Sequence, residues 1–307
     1  MTETPELDGL DRRLIACLRA DGRASFRRLA QRLAVSEQTV ARRYHRLRSA
    51  HLLRVTVLPA PPAIGRSPLL LRVRTEGSAG QAVAARLARR PDIPWIETLA
   101  GTTDLVFTAL TRPGTEDTGR LLDGLSRTRG VRETVPCLLL RLYTEPTGSL
   151  ADGPLLDAFE QRLLAALEKD GRAAYGELAP VLGTTPATVR RRLERLLAAE
   201  ALQVRTEADL ALLGFPIEAT LWLDVRPDAL EAAGSALAAH PEVRFAAATT
   251  GPSNLMVSTF HATLADLYRM QTETLGGLDG VQHVEITPTV RVVKRHGILR
   301  DGHTLRN

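Results

Sequence analysis

The chain has 307 residues, 44% of them apolar and 24% charged, with a formal net charge of +5 and an isoelectric point near 9.7. That length exceeds one typical domain, and the ordinary apolar content excludes disordered and collagen-like classes. No charge-free apolar run of about 18 residues occurs, which excludes a membrane-spanning helix of the usual kind.

Lys169 and Lys294 are the only lysines, so almost all positive charge is guanidinium, which grips phosphate and guanine edges bidentately. Codon preference alone can produce such a bias, so the positions of the arginines carry more information than their number. The acidic start, Met1 to Glu6, is unlike a signal peptide and leads to an expected cytoplasmic location. Cys17 falls on an apolar helical stripe and Cys137 in an apolar strand, so both read as buried thiols.

Leu10, Leu14, Cys17 and Leu18 recur at helical spacing before Asp21-Gly22-Arg23, where the glycine can stop the helix. A second short helix carries Phe26, Leu29, Ala30 and Leu33, and Ser36 is placed to cap a third on which Val40, Tyr44 and Leu47 form one stripe. Three short helices with a tight break before the last describe a helix-turn-helix. If the stripe points inward, Gln38, Arg42, His45 and Arg46 point outward, the face a recognition helix offers to the major groove. Glutamine can pair with adenine and arginine with guanine, while Arg27, Arg28, Arg32 and Arg48 can hold phosphates. Residues 52–58 alternate as a strand or wing, and Leu58-Pro59-Ala60-Pro61-Pro62 reads as a linker.

Beyond it the pattern predicts a strand over 69–75, a helix over 79–90, strands over 93–100 and 104–111, a helix over 115–128 and a strand over 131–143. This β-α-β-β-α-β order is that of a ferredoxin-like sandwich, one sheet with two helices on one face. The other face must meet something or stay wet. Residues 144–154, with Pro146, Gly148, Gly153 and Pro154, form a second linker.

The plan then repeats. Asp21-Gly22-Arg23-Ala24 returns 149 residues later as Asp170-Gly171-Arg172-Ala173, and Thr39-Val40 with Arg42-Arg43 returns as Thr188-Val189 with Arg191-Arg192. At an offset of 150, strands are predicted over 217–225, 243–250, 255–261 and 281–293, with helices over 229–239 and 264–275. Outward positions differ between the copies, Gln38 becoming Ala187 and His45 becoming Glu194, while Arg42 and Arg46 persist as Arg191 and Arg195. The expected class is α+β, with two winged helix-turn-helix domains (1–58 and 155–208) alternating with two ferredoxin-like sandwich domains (67–143 and 213–300).

With Leu14, Leu18, Asp21-Gly22-Arg23, Leu29-Ala30, Leu33, Ser36, Thr39-Val40, Arg42-Arg43 and Leu47 in place, and both Gly-x-x-Asp/Asn turns, the chain resembles two fused protomers of the Lrp/AsnC family of transcription regulators. The resemblance implies a DNA-binding regulator of double-stranded DNA that senses an amino acid or small metabolite and assembles as a homo-oligomer through its sandwich domains. It places DNA contact on Arg27, Arg28, Ser36, Gln38, Thr39, Arg42, Arg43, His45 and Arg46, and on Thr185, Ala187, Thr188, Arg190, Arg191 and Arg195. It places the effector at the turns Gly101-Thr102-Thr103-Asp104 and Gly251-Pro252-Ser253-Asn254, where Asp104 can pair with an ammonium group and Asn254 cannot match that charge. Both are also ordinary turn sequences. Where the family usually has glycine after the recognition helix, this chain has His51 and Glu200.

Two other classes fit the same residues. Relatives of this plan decarboxylate siroheme using histidine and arginine, and His261, His283 and His296 keep an enzyme in view; their first-half counterparts are Thr111, Glu133 and Pro146. An architectural protein coating DNA through its backbone is the other. No phosphate-cradling glycine loop, metal-ligand spacing or serine nucleophile occurs, so no cofactor, metal or catalytic residue is expected.

Overall fold

The computed structural model describes residues 6–101, 104–144, 148–149 and 154–306. Thr102 and Thr103 of the first expected effector turn, residues 1–5, and the linker residues Pro146 and Gly153 lie outside the described residues.

The first half runs α1 (Gly9–Ala20), α2 (Phe26–Leu33), α3 (Glu37–Ser49), β1 (Arg54–Pro59), β2 (Ser67–Thr75), α4 (Ala79–Ala88), β3 (Trp95–Leu99), β4 (Leu105–Thr111), α5 (Asp117–Ser126) and β5 (Val131–Leu142). After the short strand β6 (Gly148–Ser149), the second half repeats this order. It runs α6 (Ala158–Lys169), α7 (Tyr175–Leu182), α8 (Pro186–Ala198), β7 (Leu202–Glu207), β8 (Ile217–Val225), α9 (Leu230–Ala238), β9 (Val243–Thr249), β10 (Leu255–His261), α10 (Leu264–Arg269) and β11 (Val281–Arg295). Strands β12 (Ile298–Asp301) and β13 (Thr304–Arg306) follow. The single helix expected over 264–275 is α10 continued by a π-helical turn, Met270–Leu275.

The chain forms two compact units, each assembled from both halves: residues 1–65, 153–213 and 300–307 make one, residues 66–152 and 214–299 the other. In the first unit, α1 and α6 start on matching capping boxes. Asp8 accepts from the Asp11 amide at 2.9 Å and Asp157 from the Glu160 amide at 2.8 Å, satisfying amides that a helix start leaves open. Leu14, Ile15, Leu18, Leu29, Leu33, Val40, Tyr44 and Leu47 build one core, and their counterparts on α6 to α8 build another. Each core borrows from the opposite half: Ala208 and Leu212 enter the first, Val57 and Ala63 the second.

The expected wings are corrected. β1 keeps Val55 in its own module's core and places Val57 in the other's, and its pairing partner is not a strand of its own module but β7, antiparallel, with Arg54 opposite Glu207 and Pro59 opposite Leu202. A single strand leaves its own N–H and C=O groups unpaired, and Pro61-Pro62 follow before any hairpin can return, so the edge is satisfied by the other copy. The expected 58–62 linker is built in as well: β1 runs through Leu58 and Pro59, Pro61–Ile64 form a 3-10 turn, and Ala63 is buried.

Gly22 does not stop α1 through a left-handed turn; it is absent from the residues of positive φ. It sits where a Cβ would lie 2.6 Å from Val204 Cγ1, and a Cβ on Gly171 would lie 2.9 Å from the backbone of Thr56. At Gly171 the opposite strand's backbone passes directly over the glycine and leaves no room for a side chain, whereas at Gly22 the close atoms belong to side chains. Beside them, the Arg23 guanidinium donates to the carbonyls of Gly171 and Ala173, and Arg172 donates to those of Gly22 (2.6 Å) and Ala24 (2.8 Å). Arg23 stacks on Tyr175, and Arg172 on Phe26 and Tyr44. The repeated Asp-Gly-Arg-Ala segment is therefore a reciprocal clasp between the two helix-turn-helix modules.

In the second unit, hydrogen-bonded neighbours run β2, β4, β3, β11, β8, β10, β9, β5 and back to β2, a closed barrel of eight strands. Both halves keep the βαββαβ order, but their strands close into one barrel rather than two separate sandwiches. The seams are β3 with β11 and β5 with β9, so the last strand of each half pairs with the other half. Alternation sends Leu69, Leu71 and Val73 outward to α4 and α5, while Leu70 joins Val106, Cys137, Trp222 and Met256 inside. The sheet faces without helices thus meet within one chain, and closure leaves no open edge between the halves.

Candidate nucleic-acid interface

The third helix of each module is positioned by its cap. Ser36 Oγ accepts from the Thr39 amide at 3.1 Å, and Thr185 Oγ1 from the Thr188 amide at 3.2 Å. Val40, Tyr44 and Leu47 are buried, and Gln38, Arg42, His45 and Arg46 are exposed, as the 100° step requires. The His45 ring meets Phe26 and Tyr44 edge-on, with centroids 6.1 and 5.5 Å away. On α8, Ala187, Arg190, Arg191, Glu194 and Arg195 are exposed over buried Val189, Leu193 and Leu196.

The arginines of these helices divide into two sets. Arg43 donates to Asp8 and to Asp11 (3.0 Å), and Arg46 also pairs with Asp11, whose carboxylate is fully buried on α1. Arg192 pairs with Asp157 (2.9 Å) and Glu160 (3.1 Å), and Arg195 with buried Glu160. A desolvated carboxylate needs such a partner. These guanidiniums therefore tie the third helix to the first within each module, and the hydrogen bonds that the Asp8 carboxylate accepts from Arg43 and from the Asp11 amide hold its pKa down at about 2. Arg28 pairs with Asp21 at 3.0 Å, Arg48 with Asp170 at 2.8 Å and Arg190 with Glu194 at 2.8 Å. Arg27, Arg32, Arg42 and Arg191 are exposed and make no ion pair among the described residues. An open groove between α2 and α3 is lined by Arg27, Gln31, Ser36 and Glu37. Gln31 escaped the sequence reading, although its place one turn after Arg27 puts it on the same face.

The two turns expected to meet an effector lie at the barrel seams. Ala100 donates to Pro288 O at 2.9 Å, and Thr250 to Leu138 O at 3.0 Å. A Cβ on Gly101 would meet Thr287, and one on Gly251 would meet Cys137. The Asp104 carboxylate accepts from Thr75 N (2.5 Å) and Thr75 Oγ1 (3.2 Å). Asn254 does the same work at the equivalent place, accepting from Val225 N at 2.9 Å and donating to Val225 O at 2.6 Å. Ser253 is buried, and Gly101 and Gly251 are exposed.

The sequence reading also missed a buried network at one end of the barrel. Glu97 on β3 takes hydrogen bonds from Trp95 Nε1 (2.9 Å), Arg295 (2.6 Å) and Arg244 (3.3 Å), and Arg295 also reaches Glu218 at 2.6 Å. Burial opposes ionisation of Glu97, but Arg295 and Arg244 overcome it and hold the carboxyl well below the usual range. The equivalents of Glu97, Glu218 and Arg244 in the other half are Ala247, Pro68 and Pro94, so repeat comparison shows only that these charges are unmatched.

The histidines do not gather. His261 is buried between Glu242 Oε2 (3.0 Å) and Thr259 Oγ1 (2.9 Å), with burial pushing its pKa down; His283 is exposed and His296 half-buried. No group of metal-ligating side chains occurs among the described residues.

Comparison with known proteins matches both helix-turn-helix modules and the second half's share of the barrel. The AsnC-type helix-turn-helix domain matches residues 7–48 and 156–197, and the Lrp/AsnC ligand binding domain matches residues 218–299. An uncharacterised HTH-type transcriptional regulator of Pyrococcus furiosus is 30% identical over 149 residues, 48% of this chain and 99% of that protein. An HTH-type transcriptional regulator of Pyrococcus horikoshii is 28% identical over 143 residues, 46% of this chain and 94% of that protein. The crystal structure of the siroheme decarboxylase NirDL shares the fold over 96% of this chain and 94% of its own, with a TM-score of 0.66 and 17% identity. A regulator that aligns almost end to end within half of this chain, and one helix-turn-helix type matched in both halves, lead to one conclusion: the chain belongs to the Lrp/AsnC family of helix-turn-helix transcriptional regulators.

Proposed function

We propose that the chain regulates transcription in the cytoplasm by binding double-stranded DNA through α3 and α8, with α2 holding the phosphate backbone. The observation that carries this reading is the exposed set Gln38, Arg42 and His45, opposite a buried stripe and beside unpaired Arg27 and Arg32. Ser36, Thr39, Thr185 and Thr188 set the helix starts, while Arg28, Arg43, Arg46, Arg190 and Arg195 contribute by letting go of, or sharing, their carboxylate partners. The modules that the duplication copied are residues 1–58, 67–143, 155–208 and 213–300, winged helix-turn-helix and ferredoxin-like in ancestry, with the wing strands paired to each other and the sandwiches merged. A mobility-shift series on duplexes selected from a random library tests the reading. Arg42→Ala should cost about 1–3 kcal/mol of binding, and affinity should fall steeply with salt. Failure to enrich any duplex would overturn it.

The effector is an amino acid or other small metabolite at the seam turn ending in Asp104, where an ammonium group competes with Thr75 for the carboxylate; the turn from Gly251 to Asn254 lacks that charge. Homo-oligomers form through the sandwich domains. Calorimetric titration with the amino acids, repeated on Asp104→Asn, tests the site.

The likeness to the siroheme decarboxylase over nearly the whole chain favours a second reading, an enzyme on the same fold. Against it stand the commitment of His261 to Glu242 and Thr259 and the scattering of the other histidines. Incubation with siroheme, following absorbance and carbon dioxide, separates the two.

A further inference from the structure

We propose that the two DNA-reading modules divide their labour: the first anchors the chain on a strongly specified half-site, and the second adds a weak half-site of different sequence, so that the target is non-palindromic and bound in one orientation. This rests on the DNA-binding reading above. On α2 the exposed positions 27, 28 and 32 are arginines, and at the matching positions of α7 stand Gly176, Glu177 and Val181, all exposed. The second module has lost every cation that could flank the reading helix from α2's side. On α8, Glu194 replaces His45 and captures Arg190 at 2.8 Å, while Ala187 replaces Gln38 and leaves no donor or acceptor for adenine.

The tied arginines do not offset this difference, because Arg43 and Arg46 are held by Asp11 just as Arg192 and Arg195 are held by Glu160. On the second and third helices of each module, the arginines that make no ion pair among the described residues are Arg27, Arg32 and Arg42 on one side against Arg191 on the other. The frame that holds them is nearly symmetric. The β1 and β7 ladder and the Arg23 and Arg172 clasp join the modules through backbone groups. The helix faces can diverge without loosening this joint, since none of its contacts uses Gln38, His45, Ala187 or Glu194. Two identical chains would have to read identical half-sites; this covalent pair need not.

The test selects duplexes from a random library with the full-length protein and then measures variants on the best duplex. The selected sequence should show one well-defined half and one degenerate half, and Arg42→Ala should weaken binding about tenfold or more against about threefold for Arg191→Ala. A gain-of-function arm restores the missing cations: Gly176 faces open space and Val181 is exposed, so Gly176→Arg with Val181→Arg leaves the fold undisturbed. That double variant should tighten binding and steepen the logarithmic salt slope by about 0.9 for each further phosphate neutralised. A palindromic selected site with equal losses for Arg42→Ala and Arg191→Ala, or an unchanged salt slope in the double variant, would overturn the division of labour while leaving DNA binding intact. Selection of no duplex at all would instead remove the reading on which it rests.

Discussion

Ala34, His51 and Glu200 hold left-handed backbone, with φ of 55°, 57° and 53°, at the ends of α2, α3 and α8. Such a conformation costs a residue with a Cβ about 1–2 kcal/mol, and the second module avoids part of it by placing Gly183, φ 67°, where the first has Ala34. Ala34→Gly should therefore stabilise the protein by a net ~0.5–1 kcal/mol, the left-handed penalty less the entropy that glycine loses. Thermal unfolding monitored by circular dichroism checks it, and a fall in midpoint would mean that the alanine methyl packs more usefully than the backbone suggests. The residue scale is also where sequence legibility first runs out. A 100° step correctly sorted Val40, Tyr44 and Leu47 from Gln38, Arg42 and His45, because it tracks the Cα–Cβ direction. It gave no hint that the Arg43 and Arg46 guanidiniums reach back to Asp11, since a long side chain ends far from where its Cβ points.

Among the elements, β1 and β7 show why boundaries were easier to read than partners. Alternating apolar residues announced a strand after α3, and its ends fell within two residues of the expected ones. Nothing in that alternation says which edge will accept the strand, and its pairing with the other copy rests on shape. Thr56 Oγ1 donates to Glu168 O at the end of α6, and Thr206 Oγ1 donates to Leu18 O at the end of α1, each closing an open helix terminus of the opposite module. The glycines at the clasp make the fit testable. A methyl on Gly171 would strike the Thr56 backbone, which cannot rotate away, while one on Gly22 would strike the Val204 side chain, which can. Gly171→Ala should cost about 1–3 kcal/mol, more than Gly22→Ala, in denaturant melts of the purified proteins. Equal costs would show that strand β1 gives way as readily as a valine rotamer.

At the scale of the whole molecule, duplication supplies two sheets and closure makes one barrel of them, a result that equal strand patterns in the two halves do not encode. The unmatched charges do. Glu97 comes from the first half and Arg244, Glu218 and Arg295 from the second, so the network is complete only when unlike halves meet. Two first halves would bring Glu97 into a barrel without either arginine; two second halves would bury the arginines without Glu97. Because the folded-state pKa of Glu97 is depressed, its contribution is fully present above the unfolded carboxylate value, about 4.3, and drains away as pH falls toward the folded value. Glu97→Gln should thus lose about 3 kcal/mol at neutral pH, as removal of one member of a buried ion pair does, and should show a shallower decline on the acid side than the parent. The same network predicts how the chain behaves when cut. Cleavage at a protease site inserted between Thr144 and Pro154 should leave the halves together, since β1 with β7, β3 with β11 and β5 with β9 all join one half to the other. Gel filtration should return both fragments in a single peak at the parent volume. Mixing fragments that carry different tags should give only unlike pairs, and recovery of like pairs in comparable amounts would show that closure is driven by the shared apolar faces and not by the ionic match.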